Sequence, residues 1–186
     1  MPRIEARAAG GRNVCAFLDM LAYAEIGEAM LALSDDGYDV LVGSLPGAME
    51  TFSSYAEHPL AEAEAIEYAP GLWSTAAGRY QILARYWQHY QPLLALPDFR
   101  PESQDRYALQ QLREQRALPL IQSGRLRRAI AACANIWASL PGAGYGQHEV
   151  AFEELMAVYQ QAGGRLASRD HHWFEAVMRA GGAPHE

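Results

Sequence analysis

A glutamate lies on the apolar side of an early helical pattern, within the stretch "FLDMLAYAEIG" at residues 17–27. The apolar stripe has the i, i+3, i+4, i+7 spacing of a helix and consists of Val14, Phe17, Leu18 and Leu21. Glu25 follows Leu21 by one helical turn, which places it on the same stripe. Burial and the negative end of the helix dipole would both raise the pKa of this carboxyl group. A carboxyl group that stays protonated near neutral pH can act as a general acid, although a salt-bridged or helix-end glutamate is the commoner explanation.

The segment "STAAGRYQI" at residues 74–82 combines small residues with a Tyr-Gln pair. Small side chains let a polymeric ligand approach the backbone. Tyr80 has a ring that can stack on a sugar, and Gln81 offers both a donor and an acceptor to hydroxyl or acetamido groups. We assign Ser74 and Thr75, which open the segment, to the same predicted binding surface. The alternative is an ordinary helix start.

A glycine-rich loop with a tyrosine occurs later, in "NIWASLPGAGYGQ" at residues 135–147. Trp137 in this stretch is better explained as a core residue than as a ligand contact. Tyr145 lies between Gly144 and Gly146, and a tyrosine on a flexible glycine loop is poorly placed for a core. We therefore predict that Tyr145 lies at the edge of a binding cleft.

The composition excludes several classes of protein. The 186 residues suit one domain or one domain with an appendage, and the 50% hydrophobic content supports a sizeable core. The net charge of −7 argues against nucleic acid as a partner, because the only basic cluster is "RLRR" at residues 125–128, which the start of a solvated helix also explains. Cys15 and Cys133 are interpreted as buried free thiols, with a disulfide left open. Without a Cys/His cluster, we expect neither a metal nor a cofactor.

The pattern of elements predicts a mostly helical α+β domain with a small β element in its N-terminal third. We expect a first helix capped by Asn13, a hairpin or irregular sheet within residues 34–55, and a loop or short helix at residues 56–77. Further helices are predicted at about residues 79–90, from Pro101 onward, after Ser123, at 149–161 and at 169–180. The predicted divisions are a flexible segment 1–13, a catalytic domain 14–164 and an appendage 165–186. No signal peptide or apolar run of membrane-spanning length is evident, so we expect no membrane insertion.

Taken in order, the helix-borne glutamate, "STAAGRYQ" and the glycine loop resemble the pattern of lysozyme-like lytic transglycosylases. The resemblance becomes close with the lambda-type phage endolysins, over about residues 16–164. Further segments carry this resemblance: "AFLDMLA", "GYDVLVG", "HP", "DF-P-SQD", "ALQQ" and "NIWASLPGAGYGQ". The family pattern "EGT" is replaced here by "EIGEAMLAL", and Trp73 replaces a polar residue.

The resemblance implies a lysozyme-like fold with a cleft between its two parts, and lytic transglycosylation of peptidoglycan. Glu25 matches the family's catalytic acid, and Asp39 matches its Asp in "GYD" near the cleft. The sugar contacts implied by the same match are Tyr80, Gln81 and Tyr145. The resemblance further implies synthesis in the host cytoplasm, release by a holin-type partner and action on glycan strands in the periplasm.

Two other functions fit the same sequence. A hydrolytic muramidase would use Asp35, Asp36 or Asp39 to position water. A peptidoglycan-binding virion protein would keep the groove without turnover, and the presence of Glu25 argues against it.

Overall fold

The computed structural model describes residues 1–146 and 148–179. Within this described part, nine segments are helical. They are α1 (Ala6–Ala9), α2 (Arg12–Ile26), α3 (Glu28–Leu33), α4 (Ala84–Leu93), α5 (Pro101–Glu114), α6 (Leu118–Gln122), α7 (Leu126–Cys133), α8 (Phe152–Gln161) and α9 (Ser168–Arg179). None of these described helices has the length and apolar composition needed to span a bilayer.

The described strands form two small antiparallel sheets. β1 (Ile66–Ala69) pairs with β2 (Leu72–Ser74), with Glu67 opposite Trp73. β3 (Ala76–Ala77) pairs with β4 (Ile82–Leu83), with Ala77 opposite Ile82. A largely helical chain with a small β element confirms the predicted α+β class.

The β1–β2 hairpin corrects the prediction of a loop or short helix for residues 56–77. Its turn is made at Pro70 and Gly71, and Gly71 has a φ of 74°. A type II turn favours proline followed by glycine, because the second of these positions has a positive φ. The sequence therefore contained this signal. The predicted sheet at residues 34–55 is irregular, and only isolated bridges form there, among them Val40 to Thr51 and Leu41 to Ala77.

The chain divides into two compact units. The first comprises Met1, Glu5–Ala24 and the chain from Leu109 onward, and the second comprises Pro2–Ile4 and Glu25–Ala108. The division therefore cuts α2 just before Glu25 and α5 just after Ala108. The predicted segment, catalytic domain and appendage, with limits at residues 13 and 164, stay a prediction.

The first unit has a helical core. The predicted stripe of α2 is fully buried, and the later helices of this unit add further buried apolar residues. Those that are 2% exposed or less include Leu109, Leu112, Leu126, Ile130, Cys133, Leu155, Met156 and Tyr159. Cys15 and Cys133 are both free thiols, as interpreted from the sequence, but only Cys133 is fully buried and Cys15 is partly exposed. Burial raises the pKa of Cys133 to about 12.

Asn13 does not cap α2 as predicted, because the helix begins at Arg12 and the side chain bonds elsewhere. Its Nδ2 donates to the carbonyl oxygens of Ile121 and Arg165, at 3.2 Å each. Its Oδ1 accepts from the Arg165 N–H at 2.9 Å. The amide of Asn13 therefore joins α2 to two later segments of the first unit.

Two other helix starts differ from prediction for local reasons. α4 begins at Ala84 rather than near residue 79, because Gly78 and Gln81 have φ values of 76° and 46° that no α-helix accommodates. α8 begins at Phe152 rather than 149, because Glu149 turns back to the preceding loop. α5 begins at Pro101 as predicted, and the last helix ends at Arg179 within the described residues, so the predicted end at Ala180 lies outside them.

Candidate active site

Glu25 lies in the last turn of α2 and is partly buried. Gly27 ends the helix with a φ of 81°, and the chain then starts α3. The segment "EIGEAMLAL", where the chain departs from the family pattern, is therefore a helix end followed by a second short helix. Glu25 is the first residue of the second unit, which also contains the other predicted site residues except Tyr145.

Asp39 lies beside the segment that carries Ser74 to Gln81. The residues after Asp39 pair with this segment, because the Gly78 N–H donates to the Val40 carbonyl at 2.8 Å. Asp39 itself is partly buried, and its Oδ1 accepts from the Asp35 N–H at 2.9 Å. The backbone thus brings Asp39 and the "STAAGRYQ" segment together.

Ser74, Thr75 and Gln81 shape the turns of this segment. Ser74 Oγ accepts from the Ala76 N–H at 3.1 Å, and Thr75 Oγ1 accepts from the Ala84 N–H at 3.2 Å. The second of these bonds satisfies a backbone donor at the start of α4. Gln81 Nε2 donates to the Gly78 carbonyl at 3.0 Å. All three side chains are partly buried, so a role in contacting substrate stays a prediction for them.

The burial of Tyr80 argues against its predicted role as a sugar-stacking ring. Its side chain is only 1% exposed, so neither face of the ring is available to a ligand. Its hydroxyl donates to Asp105 Oδ1 at 2.6 Å. Burial next to this carboxyl group also raises the Tyr80 pKa well above its ordinary value. The Tyr80 hydroxyl therefore joins this segment to Asp105 within the second unit.

Asp105 is a buried hydrogen-bond hub to which the sequence assigned no role. Its Oδ1 accepts from the hydroxyls of Tyr38, at 2.8 Å, and Tyr80. Its Oδ2 accepts from the backbone N–H groups of Arg3, at 2.7 Å, and Ile4, at 2.9 Å. Burial raises the pKa of Asp105, and these four donors oppose that rise. The motifs "GYD" and "SQD" contain Tyr38 and Asp105, but the two residues are far apart in sequence, so the motifs alone did not reveal their hydrogen bond.

Arg79 is a second buried group that the sequence did not single out. It is 1% exposed, forms an ion pair with Asp36 at 2.7 Å and donates to the Asp36 carbonyl. Its guanidinium carbon lies 5.1 Å from the centre of the Tyr38 ring, which is cation–π distance. Arg79 therefore contacts the ring of Tyr38, and Asp105 accepts a hydrogen bond from its hydroxyl, inside the second unit.

His58, from the "HP" motif, is buried as a neutral imidazole. Its Nε2–H donates to the Ile82 carbonyl at 2.8 Å, and its Nδ1 accepts from the Leu60 N–H at 3.1 Å. The ring meets Phe99 edge-on at 4.7 Å. Burial lowers the pKa of His58 below 6.5.

This lowered pKa makes stability depend on pH. Because the folded-state pKa lies below the unfolded value, the stabilisation is present above about pH 6.5 and is lost as the pH falls through the folded-state pKa. We expect the melting temperature to fall on acidification below this pH. In His58→Gln we expect a lower melting temperature at pH 7 and a flatter pH dependence, measured by calorimetry. An equally steep decline in His58→Gln would contradict this assignment.

Tyr145 belongs to the first unit and is 58% exposed, and its place at the edge of a binding cleft stays a prediction. Its hydroxyl donates to the Asn135 carbonyl at 2.7 Å. The loop is further held by the Glu149 carboxylate, which accepts from the N–H groups of Gly142, at 2.8 Å, and Gly144, at 2.9 Å. The bonds from Gly144 and Gly142 lower the Glu149 pKa. Trp137 is 5% exposed and is a core residue, as interpreted from the sequence.

Glu149→Ala is expected to loosen the glycine loop without unfolding the protein. Loss of the two acceptors should speed hydrogen exchange at the N–H groups of Gly142 and Gly144 by about tenfold, the equivalent of one net hydrogen bond. NMR exchange rates measure this effect, and the exposed neighbour His148→Ala serves as the control. Unchanged protection of both glycine N–H groups in Glu149→Ala would show that the Glu149 carboxylate does not hold the loop.

The fold, with its partly buried glutamate in a helix end, is that of a lysozyme-like protein. A solved structure described as phage lambda lysozyme complexed with a chitohexasaccharide superposes with a TM-score of 0.76 and 45% sequence identity, covering 90% of this chain and 100% of that chain. A second structure of the phage lambda lysozyme gives a TM-score of 0.73 and 43% identity over the same shares.

The sequence comparisons name the family. A family model described as Endolysin matches residues 15–166. The endolysin of Escherichia phage P2 is 52% identical over 156 residues, which are 82% of this chain and 94% of that protein. The endolysin of Escherichia phage lambda is 47% identical over 156 residues, which are 83% of this chain and 94% of that protein. The chain belongs to the endolysin family, and it is a peptidoglycan-cleaving glycosidase.

Proposed function

We propose that the protein cleaves the β-1,4 bond between N-acetylmuramic acid and N-acetylglucosamine by lytic transglycosylation. Glu25 donates its proton to the glycosidic oxygen, and the bond from that oxygen to the anomeric carbon breaks. The C6 hydroxyl of the muramic residue then attacks this carbon and returns a proton to the Glu25 carboxylate. The products are a 1,6-anhydromuramic end and a free N-acetylglucosamine hydroxyl. Glu25 is regenerated, and no water is consumed.

One observation carries this proposal. Of the three aspartates that follow Glu25 closely in sequence, Asp35 and Asp36 both have their carboxylates in ion pairs within the protein. Asp35 pairs with Arg3 at 2.8 Å and accepts from the Tyr55 hydroxyl at 3.0 Å. Asp36 pairs with the buried Arg79. A glycosidase that uses water or a covalent intermediate needs a second free carboxylate across the bond. Transglycosylation needs only one, because the substrate supplies the nucleophile.

Hydrolysis is the second candidate reaction, and the position of Asp39 is the observation that favours it. Its carboxylate accepts a backbone N–H from Asp35, and it lies beside the "STAAGRYQ" segment. If Asp39 positions a water, Asp39→Asn should lower kcat by 10²-fold or more, on the order of a lost catalytic base. Under our proposal, the same change lowers kcat by less than about tenfold, because Asp39 then only contacts sugar. Initial rates on purified peptidoglycan measure the difference.

Digestion in ¹⁸O-labelled water tests the reaction itself. Transglycosylation yields 1,6-anhydro-muropeptides without label, and hydrolysis yields reducing ends that carry one ¹⁸O atom. We expect unlabelled anhydro products in the mass spectrum. Labelled reducing ends as the main product would replace the proposal with the muramidase reaction.

The natural substrate and the route to it are part of the same proposal. Since the phage lambda lysozyme structure contains a chitohexasaccharide, we expect this chain to bind β-1,4-linked N-acetylated glycans. A chito-oligosaccharide should therefore compete with peptidoglycan in the activity assay. We further propose synthesis in the host cytoplasm, release through a holin-type membrane partner and action in the periplasm, as for a phage endolysin. Co-expression with and without a holin, scored by lysis, tests that route.

A further inference from the structure

A pocket of about 730 Å³ lies in the first unit, between α7 and the C-terminal helix α9. Its volume falls in the range of ordinary ligand pockets. Each of the two helices lines it with cationic and apolar residues, and Phe152 at the start of α8 also takes part. The residues that matter are Arg127, Arg128, Ile130, Phe152, Arg169 and Trp173.

The charge of this pocket is opposite to that of the whole protein. Three guanidinium groups line it, against the carboxylates of Glu153 and Asp170, whereas the chain has a net charge of −7. Asp170 is 7% exposed, and its Oδ2 accepts from the Arg127 N–H at 3.0 Å, so it serves the local fold. Within the described part of the chain, Arg128 and Arg169 are exposed and form no ion pair. Two cations therefore face solvent at the pocket without a structural role.

Contacts within the protein hold the aromatic side chains that line the pocket. The Arg127 guanidinium carbon lies 4.4 Å from the centre of the Trp173 ring, and Phe152 meets Trp173 edge-on at 5.5 Å. These contacts hold Arg127 and Trp173 in one arrangement before any ligand arrives. A ligand that binds here loses less free energy to the ordering of side chains.

The family match ends at residue 166, and α9 begins at Ser168. Arg169 and Trp173 therefore lie beyond the residues that the family model matches. The residues that line the pocket also differ from the predicted site residues described above.

We propose that this pocket binds carboxylate-bearing peptides, in particular the alanine-rich peptide stems that muramic residues carry in peptidoglycan. Guanidinium groups bind carboxylates through paired N–H donors, which suits the free carboxylates of these stems. Ile130, Phe152 and Trp173 offer apolar contacts to the alanine methyl groups. The identity of the peptide rests on peptidoglycan being the substrate, but not on the type of glycosidic reaction. Binding here holds the enzyme on cross-linked wall and leaves the reacting bond to the second unit.

The test compares two pairs of substitutions that remove the same charge. Arg128→Gln with Arg169→Gln removes the two unengaged guanidiniums of the pocket, and Arg113→Gln with Arg116→Gln removes two exposed guanidiniums elsewhere in the first unit. Calorimetry with a purified stem tetrapeptide should give binding to the wild type and to the control pair. In the pocket pair, we expect the affinity to fall by about tenfold or more, as for lost charge-assisted hydrogen bonds.

Kinetics provide an independent readout. KM for intact peptidoglycan should rise in the pocket pair, while KM for glycan strands stripped of peptides by an amidase stays at the wild-type value. The isolated tetrapeptide contains no glycosidic bond, so its binding is independent of whether the transglycosylase reaction is correct. Equal tetrapeptide affinity in the wild type and the pocket pair, or no binding to the wild type, would overturn the proposal. Arg128- and Arg169-dependent binding to anionic phospholipid vesicles in place of the tetrapeptide would also overturn it.

Discussion

Glu25→Gln is expected to lower kcat on purified peptidoglycan by about 10³-fold, within the range that a general acid contributes. The amide keeps the size and much of the polarity of the carboxyl group but cannot donate a proton to the glycosidic oxygen. Glu25 is partly buried at the end of α2, so we expect little change in the melting temperature. Release of anhydro-muropeptides, followed by mass spectrometry, measures the loss.

The matched control is Glu28→Gln, which makes the same chemical change at an exposed position in the first turn of α3. We expect this variant to retain wild-type activity. A Glu25→Gln enzyme that still forms anhydro products at a rate within about tenfold of the wild type would remove Glu25 from the mechanism.

Asp105→Ala should lower the free energy of unfolding by about 3–5 kcal/mol, because it leaves several buried donors without an acceptor. The affected donors are the hydroxyls of Tyr38 and Tyr80 and the backbone N–H groups of Arg3 and Ile4. Urea unfolding followed by circular dichroism measures the change. The exposed Glu102→Ala on the same helix controls for loss of a carboxylate, with an expected cost below about 0.5 kcal/mol.

Tyr80→Phe separates the structural role of Tyr80 from a role in sugar binding. The ring remains, one hydrogen bond to Asp105 is lost, and we expect a cost of about 1 kcal/mol in unfolding free energy. KM for peptidoglycan should stay unchanged, because the ring is buried. A raised KM with unchanged stability would restore the sugar-contact prediction.

The parts of the fold that follow from short-range rules were predictable from the sequence. The α2 stripe follows from helical periodicity, and the start of α5 follows from the preference of proline for the first helical turn. The turn at Pro70 and Gly71 also had a readable signal, but the strands on either side are too short to show clear alternation. The start of α4 was not predictable, because glutamine rarely adopts the positive φ that Gln81 has.

The site was less predictable than the fold for a physical reason. Asp105 is 102 residues from Arg3 and 25 residues from Tyr80 along the chain, and no periodic pattern reports such a contact. Tyr80 has a hydroxyl that suits either a sugar or a buried carboxyl group, so its type alone could not decide its burial. The exposure of Tyr145 was easier to predict, because the glycines on either side of it indicate a loop.

The hydrogen bonds of the Asn13 amide to Arg165 form a joint that anchors the start of the C-terminal segment. It fixes the backbone of Arg165, and two residues later the Ala167 N–H donates to the Gly124 carbonyl at 2.8 Å. The segment that follows residue 167 therefore starts from an anchored point of the first unit. α9 begins at Ser168, directly after this anchored point, and lies beyond the residues that the family model matches. The same joint is a practical fusion point for grafting wall-targeting sequences onto this enzyme.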